Sequence, residues 1–170
     1  MKSKFLSTIR FTRQFREADA SMFNRIITES GGEVSSGAMN LMESSEFLTV
    51  PSDIKKKNIH VARTMEILGE CRNGKFCEIY ETIIKAGGKI LLPKMGPQLR
   101  VQYIGDKVPC VLAEDLYIVM NPIKRNQRIF SEIFLIKSHT FGMKKFVLNS
   151  VSVYPSLYFN PMALWAFSFD

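Results

Sequence analysis

The chain has 170 residues, 46% hydrophobic and 23% charged, and its 23 Lys and Arg against 16 Asp and Glu leave a formal charge of +7. That length buries a substantial core in one domain without disulfide or metal support, and no run approaches the roughly 20 apolar residues of a membrane-spanning helix. The basic balance favours an acidic partner, such as nucleic acid, an anionic membrane surface or an acidic protein, although basic surfaces also serve solubility.

Residues 1–16 carry Lys2, Lys4, Arg10, Arg13 and Arg16 with no acid, which raises a mitochondrial presequence. On a helical wheel Lys2, Arg13 and Arg16 land beside Ile9, so no clean apolar face survives. As a strand the same residues sort cleanly. Phe5, Ile9, Phe11 and Phe15 share the odd face, and the basic residues lie on the even one except Arg13. The expectation is a half-buried strand with a basic outer face. Asp19 then caps a short helix with Phe23, Ile26 and Ile27 as its stripe, ending at Gly31-Gly32.

Residues 31–45, rich in Gly, Ser and Met, read as a mobile loop. Residues 47–50 read as a short strand stopped by Pro51. Lys55, Lys56 and Lys57 follow, a triplet that is either a solvated face or a binding patch. Over 58–68 the apolar spacing suits both a strand and a helix, and the strand is taken.

The firmest element lies between Asn73 and Gly88. Phe76, Ile79, Tyr80, Ile83 and Ile84 recur at helical spacing while Lys75, Glu78, Glu81 and Lys85 face away. Asn73 is the expected cap and Gly87 or Gly88 the stop. Beyond it, strands are expected over 89–92, 99–104, 108–112, 116–120, 129–136 and 146–153. A loop over 93–97 presents an exposed Met95, and turns fall at Gly105-Asp106 and Asn121-Pro122. Short linkers imply antiparallel pairing, because parallel neighbours need longer crossovers. The fold class is α+β: one domain, a twisted antiparallel sheet with helices packed on it. The tail, residues 154–170, holds six aromatics and one charged side chain. It is either a last strand or clasp over the core, or a surface made for a partner.

The search for chemistry is thin. His60 and His139 are the only histidines, and no spacing ties either to a nucleophile. Cys71, Cys77 and Cys110 are odd in number and match no zinc pattern, so a reduced, intracellular protein is expected. Glu78 and Glu81 read as solvated ion pairs of the helix, and Glu114-Asp115 as turn acids. Gly31-Gly32 and Gly87-Gly88 lack a phosphate-loop context. No cofactor, metal or small-molecule substrate is expected, and the chain reads as a non-enzyme. The basic groups are the better signal, in three sets: the first 16 residues; Lys55, Lys56 and Lys57 through Arg63; and Lys124, Arg125 and Arg128 with Lys144 and Lys145. If they share a face, each adds about 1 kcal/mol of attraction to an anionic leaflet. They could equally meet nucleic-acid phosphates. Tyr154-Pro155-Ser156-Leu157 looks like the YPxL peptide with which some viral structural proteins recruit budding machinery, carried by Tyr154, Pro155 and Leu157.

Three stretches, in order, resemble the matrix proteins of negative-strand RNA viruses, most nearly those of rhabdoviruses, including the short matrix proteins of plant members. STIRFTR, residues 7–13, is similar to the first strand of the matrix core. NGKFCEIYETII, residues 73–84, looks like the opening of its central helix. FVLNSVSV, residues 146–153, looks like its closing strand, comparable to a segment of bornavirus matrix proteins. Together they cover about 27 residues. PPxY and PT/SAP budding peptides are absent from the sequence. The resemblance implies a non-enzymatic viral structural protein that forms homo-oligomers, binds the inner leaflet, condenses the viral nucleoprotein and RNA complex, and drives virion assembly and budding. It would lie in the virion beneath the envelope, and in the host in the cytoplasm and at the inner membrane surface, with the nucleus as a further site. Met95, Trp165 and Phe167 are the self-association candidates. Two other readings stand beside it. One is a basic nucleic-acid-binding accessory protein, such as a suppressor of host defence. The other is a small enzyme that would need His60 or His139 to share a pocket with a cysteine.

Overall fold

The structure is a computed structural model, and it describes residues 1–48, 50–51, 53–102, 114–124, 131–138 and 146–170. The expected strand at the start is shorter than alternation suggests. β1 (Lys4–Arg10) pairs antiparallel with β3 (Lys56–Arg63), and a short helix, α1 (Arg13–Glu17), follows. Ile9 and Phe11 are buried as expected, whereas Phe15 packs from α1 against Phe23, at 5.9 Å. Phe5 is 59% exposed. The cause is a bulge: Phe5 opposes His60 and Ser7 opposes Ile59, so β1 advances two residues where β3 advances one. One extra residue reverses the pleat, and Phe5 leaves the face it would share with Ile9.

α2 (Ala20–Glu29) starts as the sequence predicts, with the Asp19 carboxylate accepting the Met22 N–H at 2.8 Å and Phe23 and Ile27 fully buried. Residues 31–45 are not a loop. They hold β2 (Glu33–Val34) and α3 (Ser36–Met42), with Ser35 Oγ accepting the Ala38 N–H at 3.1 Å. Ala38, Leu41 and Met42 are fully buried at helical spacing. The Ser and Gly content therefore concealed a cap followed by an apolar stripe. The strand expected over 47–50 is also replaced, because Phe47 is buried from a helical turn, α4 (Ser45–Leu48). The ambiguous 58–68 stretch divides. Strand alternation holds through Arg63, and α5 (Thr64–Leu68) then runs to Gly69.

A two-residue strand, β4 (Gly74–Lys75), precedes α6 (Phe76–Lys85). Phe76, Ile79 and Ile83 are its buried stripe, while Ile84, expected in that stripe, is 50% exposed at its margin. Asn73 is not the cap. Lys75 N–H donates to the Glu78 carboxylate at 3.4 Å, and the Phe76 and Cys77 N–H groups donate to the carbonyls of Leu157 and Pro155, at 2.8 and 3.2 Å. Gly87, at φ +84°, supplies the left-handed stop.

The largest correction is at 93–102. Instead of a loop and the start of a strand there is α7 (Met95–Gln102), in which Met95 is fully buried; the last two residues of the strand expected over 99–104 lie outside the described residues. Neighbours cover this helix on all sides over its first six residues, so its sequence shows no stripe. Pro97 sits in the first turn, where a missing N–H costs no bond. Gly96 lets the helix approach β7 closely, since a Cβ there would stand 2.9 Å from the Phe134 side chain.

The remaining strands are β5 (Leu116–Ile118), β6 (Ile123–Lys124), β7 (Ser131–Ser138), β8 (Phe146–Val153), β9 (Tyr158–Phe159) and β10 (Leu164–Ser168). Residues 89–92 make only two bridges, Lys89 to Ser168 and Leu91 to Met120. The strand expected over 108–112 and the turn at 105–106 lie outside the described residues, as does the start of 129–136. The main sheet runs β1-β3-β10-β5-β7-β8-β2 with β6 beside β7, and β4 pairs with β9 apart from it. Pairing is mostly antiparallel. The exceptions are β10 with β5 and β2 with β8, which arise because β10 inserts between β3 and β5 and β2 docks alongside β8. The fold is a single α+β domain.

Helices cover both faces. On one, α2, α4 and β7 are joined by Phe23, Phe47 and Phe134, at 5.8 and 6.1 Å. On the other, α5 and α6 enclose Trp165, whose Nε1 donates to Thr64 Oγ1 at 3.0 Å and whose ring lies 4.7 Å from Phe159 and 5.0 Å from Tyr117. The aromatic tail is thus a central strand of the core. Met95, Trp165 and Phe167 have no solvent exposure, so none can meet a second copy while the fold is intact.

Candidate functional site

Two of the three basic sets meet across one strand pair. In the β1–β3 register Arg10 lies opposite Lys56 and Thr8 opposite Asn58, before the bulge brings Phe5 opposite His60. These three rungs share the side of the sheet turned away from Ile9 and Ile59. Arg10 and Lys56 are exposed, as is the neighbouring Lys55. Thr8 Oγ1 donates to Asn58 Oδ1 at 2.8 Å and ties the middle rung. Like charges directly opposed on neighbouring strands disfavour folding by a few tenths to about 1 kcal/mol.

Not every cation of those sets joins the rung. Lys4 opposes Val61 beyond the bulge, on the other side of the sheet, and Lys2 precedes it. Lys57 has the opposite parity to Lys56, and its Nζ reaches Asp170. Arg13 is exposed on α1 and pairs with Glu17 at 2.9 Å. Arg16 is half-buried, with its guanidinium donating to the Ile54 carbonyl at 3.1 Å. Of the third set, Lys124 is exposed on β6. β5 runs parallel to β10 and antiparallel to the direction of β3, so β6 continues toward the same end of the sheet as Lys56. Arg125, Arg128, Lys144 and Lys145 lie outside the described residues, as do His139 and Cys110.

Two residues that composition did not single out hold this end in place. Gln98, on α7, donates from Nε2 to the Arg10 carbonyl at 2.6 Å, and Lys94 Nζ donates to the Arg16 carbonyl. Both are almost wholly buried. Burial lowers the Lys94 pKa and Asp19 acts against that shift. The start of α7 and the residue before it therefore fix the backbone just ahead of α1 and in its last turn, and with it the place of Arg10.

The sequence reading also overlooked an aromatic cluster on the same face as the basic rung. The His60 ring lies 5.8 Å from Phe5 and 5.0 Å from Phe169, edge to face in both cases. Phe169 is 39% exposed and covers Phe167, at 5.5 Å. Beyond the end of β10 the Asp170 carboxylate takes over the ladder, accepting the Asn58 N–H at 3.2 Å and the Ser168 hydroxyl at 2.6 Å. Burial alone would raise the Asp170 pKa. The Ser168, Asn58 and Lys57 donors outweigh it and hold the carboxyl below its usual range.

His60 belongs to the ring cluster just described and shares no pocket with Cys71 or Cys77, which flank the start of α6. The remaining candidates are placed apart from this end. Glu78 pairs with Arg72, and Glu81 with Lys85 at 3.5 Å. Tyr154, Pro155 and Leu157 form a turn closed by Leu157 N–H to Tyr154 O at 3.0 Å, with Tyr154 40% exposed. A shallow basin of about 170 Å³ is lined by Glu114, Asp115, Tyr117, Asn160, Met162 and Ala163. Its Glu114 is held by Arg63 in a two-pronged pair at 2.7 and 2.8 Å. Among the described residues no group of three or more His, Cys, Asp or Glu could hold a metal ion, and no helix is long and apolar enough to cross a membrane. Comparison with protein-family models, with curated proteins and with solved structures finds no match.

Proposed function

We propose that this chain is a non-enzymatic structural protein of the viral matrix type, which attaches to an anionic membrane leaflet through the basic end of its sheet. The observation that carries the reading is the direct opposition of Arg10 and Lys56, with Lys55 beside them. Folding gains nothing from holding two cations face to face, whereas contact with a negatively charged surface does. At about 1 kcal/mol each, Arg10, Lys55 and Lys56 together supply about 3 kcal/mol, over a hundredfold in affinity. That attraction fades beyond a Debye length. The resemblance of three short stretches to matrix proteins agrees with this role, in which oligomerisation, contact with the viral nucleoprotein and RNA complex, and budding would follow. Such an oligomer would form through residues other than Met95, Trp165 and Phe167, which are fully buried.

A second reading, binding of nucleic acid, draws on the Phe5, His60 and Phe169 rings, because exposed aromatics beside cations also stack bases. Co-sedimentation with vesicles separates the two. Phosphatidylserine-containing vesicles should carry the protein down at low salt and lose most of it at high salt, while phosphatidylcholine vesicles retain little. Equal binding to both vesicle types, or to neither, contradicts the membrane reading.

A further inference from the structure

Phe5 is exposed for a structural reason. The regular pleat would place it beside Ser7 and Ile9 on the buried face, and the bulge between Phe5 and Ser7 turns it to the opposite side. Bulges are common at sheet edges, where they re-aim a side chain. This one leaves most of a phenyl ring in water, on the outermost strand of the sheet. Phe169 reaches the same spot from the end of the central strand, and His60 lies between the two rings. Eight large hydrophobic side chains are exposed among the described residues, and these two are joined through one intervening ring.

The geometry points to a two-phenylalanine wedge, Phe5 and Phe169, that enters the acyl boundary of an anionic membrane while Arg10, Lys55 and Lys56 engage its headgroups. This rests on the membrane reading above and adds a component that salt does not screen. His60 and Lys56 are four residues apart on one strand, about 13 Å along its axis. The apolar and cationic parts are therefore close enough to meet one bilayer surface together. Amphipathic attachments bury their apolar groups about 5–10 Å into the interface, a depth within reach of side chains on an edge strand. Asp170 follows Phe169 directly in the chain, and it is engaged by Lys57, Ser168 and the Asn58 N–H.

The test uses the full chain and phosphatidylserine-containing vesicles. Trp165 is the only tryptophan and is fully buried, so it serves as a silent reference. In Phe5→Trp, lipids brominated on their acyl chains should quench the added emission and shift it to the blue, while the wild-type signal stays unchanged. Phe5→Ser with Phe169→Ser should bind roughly tenfold more weakly and lose the fraction that survives high salt. If the wild type binds these vesicles but the indole added by Phe5→Trp is not quenched and the double variant binds as tightly as wild type, the wedge is wrong and the electrostatic reading stands. If the double variant instead loses affinity for a single-stranded oligonucleotide while vesicle binding is unchanged, the rings are a base-stacking surface. Absence of wild-type binding to any anionic vesicle removes the membrane reading itself.

Discussion

Two aromatic clusters on the same side of one sheet have opposite fates. Around Trp165, the rings of Phe76, Tyr80, Tyr117 and Phe159 close on one another beneath α5 and α6, and the indole N–H finds Thr64. Around His60, Phe5 and Phe169 remain partly in water near the edge strand, on the same face as Arg10 and Lys56. Residue type does not separate them, since both draw on the same C-terminal strand. Helix coverage does. α5 and α6 lie over the first cluster, and a bulge carries Phe5 to the outward side of the edge strand. The first cluster should therefore govern stability and the second should govern binding.

The comparison can be broken most forcefully at Trp165. Trp165→Ala removes the largest fully buried side chain and should destabilise the fold by about 3–5 kcal/mol in urea denaturation. A loss below about 1 kcal/mol would show that the packed cluster is not the core. Gly96→Ala should come next, at about 1–3 kcal/mol, because the added methyl meets Phe134. Phe5→Ser should change stability by less than about 0.5 kcal/mol. A larger loss would mean that Phe5 belongs to the core after all.

Lys56→Glu sharpens the contrast by moving stability and binding in opposite directions. Relief of the like-charge rung with Arg10 should raise the urea midpoint slightly, while affinity for anionic vesicles falls. The smallest effect concerns acid. The folded Asp170 pKa is depressed, so its hold on Ser168 and Asn58 is fully present above the unfolded carboxyl pKa of about 3.9 and is lost as pH falls through the lower folded value. NMR below about pH 4 should show Phe169 loosening while Trp165 keeps its native shifts.

Much of the core was legible in the sequence. FVLNSVSV reads as a strand because it alternates, and α6 reads as a helix because Phe76, Ile79 and Ile83 sit on one stripe. α7 was illegible for a physical reason. A helix buried all round needs no stripe, and MGPQLRVQ contains Gly and Pro that ordinarily signal loops. α3 was hidden similarly, since Ser35 and Gly37 look like loop residues until Ala38, Leu41 and Met42 are seen to face inward. At the candidate site, the cations were visible as a composition but their pairing was not. The opposition of Arg10 and Lys56 depends on a long-range register, and the exposure of Phe5 depends on one extra residue in β1. Neither leaves a local periodic signal.

The central claim is that position, and not total charge, makes the basic end of the sheet an anion-binding surface. The direct measurement compares two double variants in vesicle co-sedimentation. Arg10→Glu with Lys56→Glu reverses the opposed rung, and Arg25→Glu with Lys75→Glu makes the same change in net charge on exposed positions of α2 and β4. The first pair should abolish binding to phosphatidylserine-containing vesicles while the second retains most of it. Equal losses from both pairs would contradict the account.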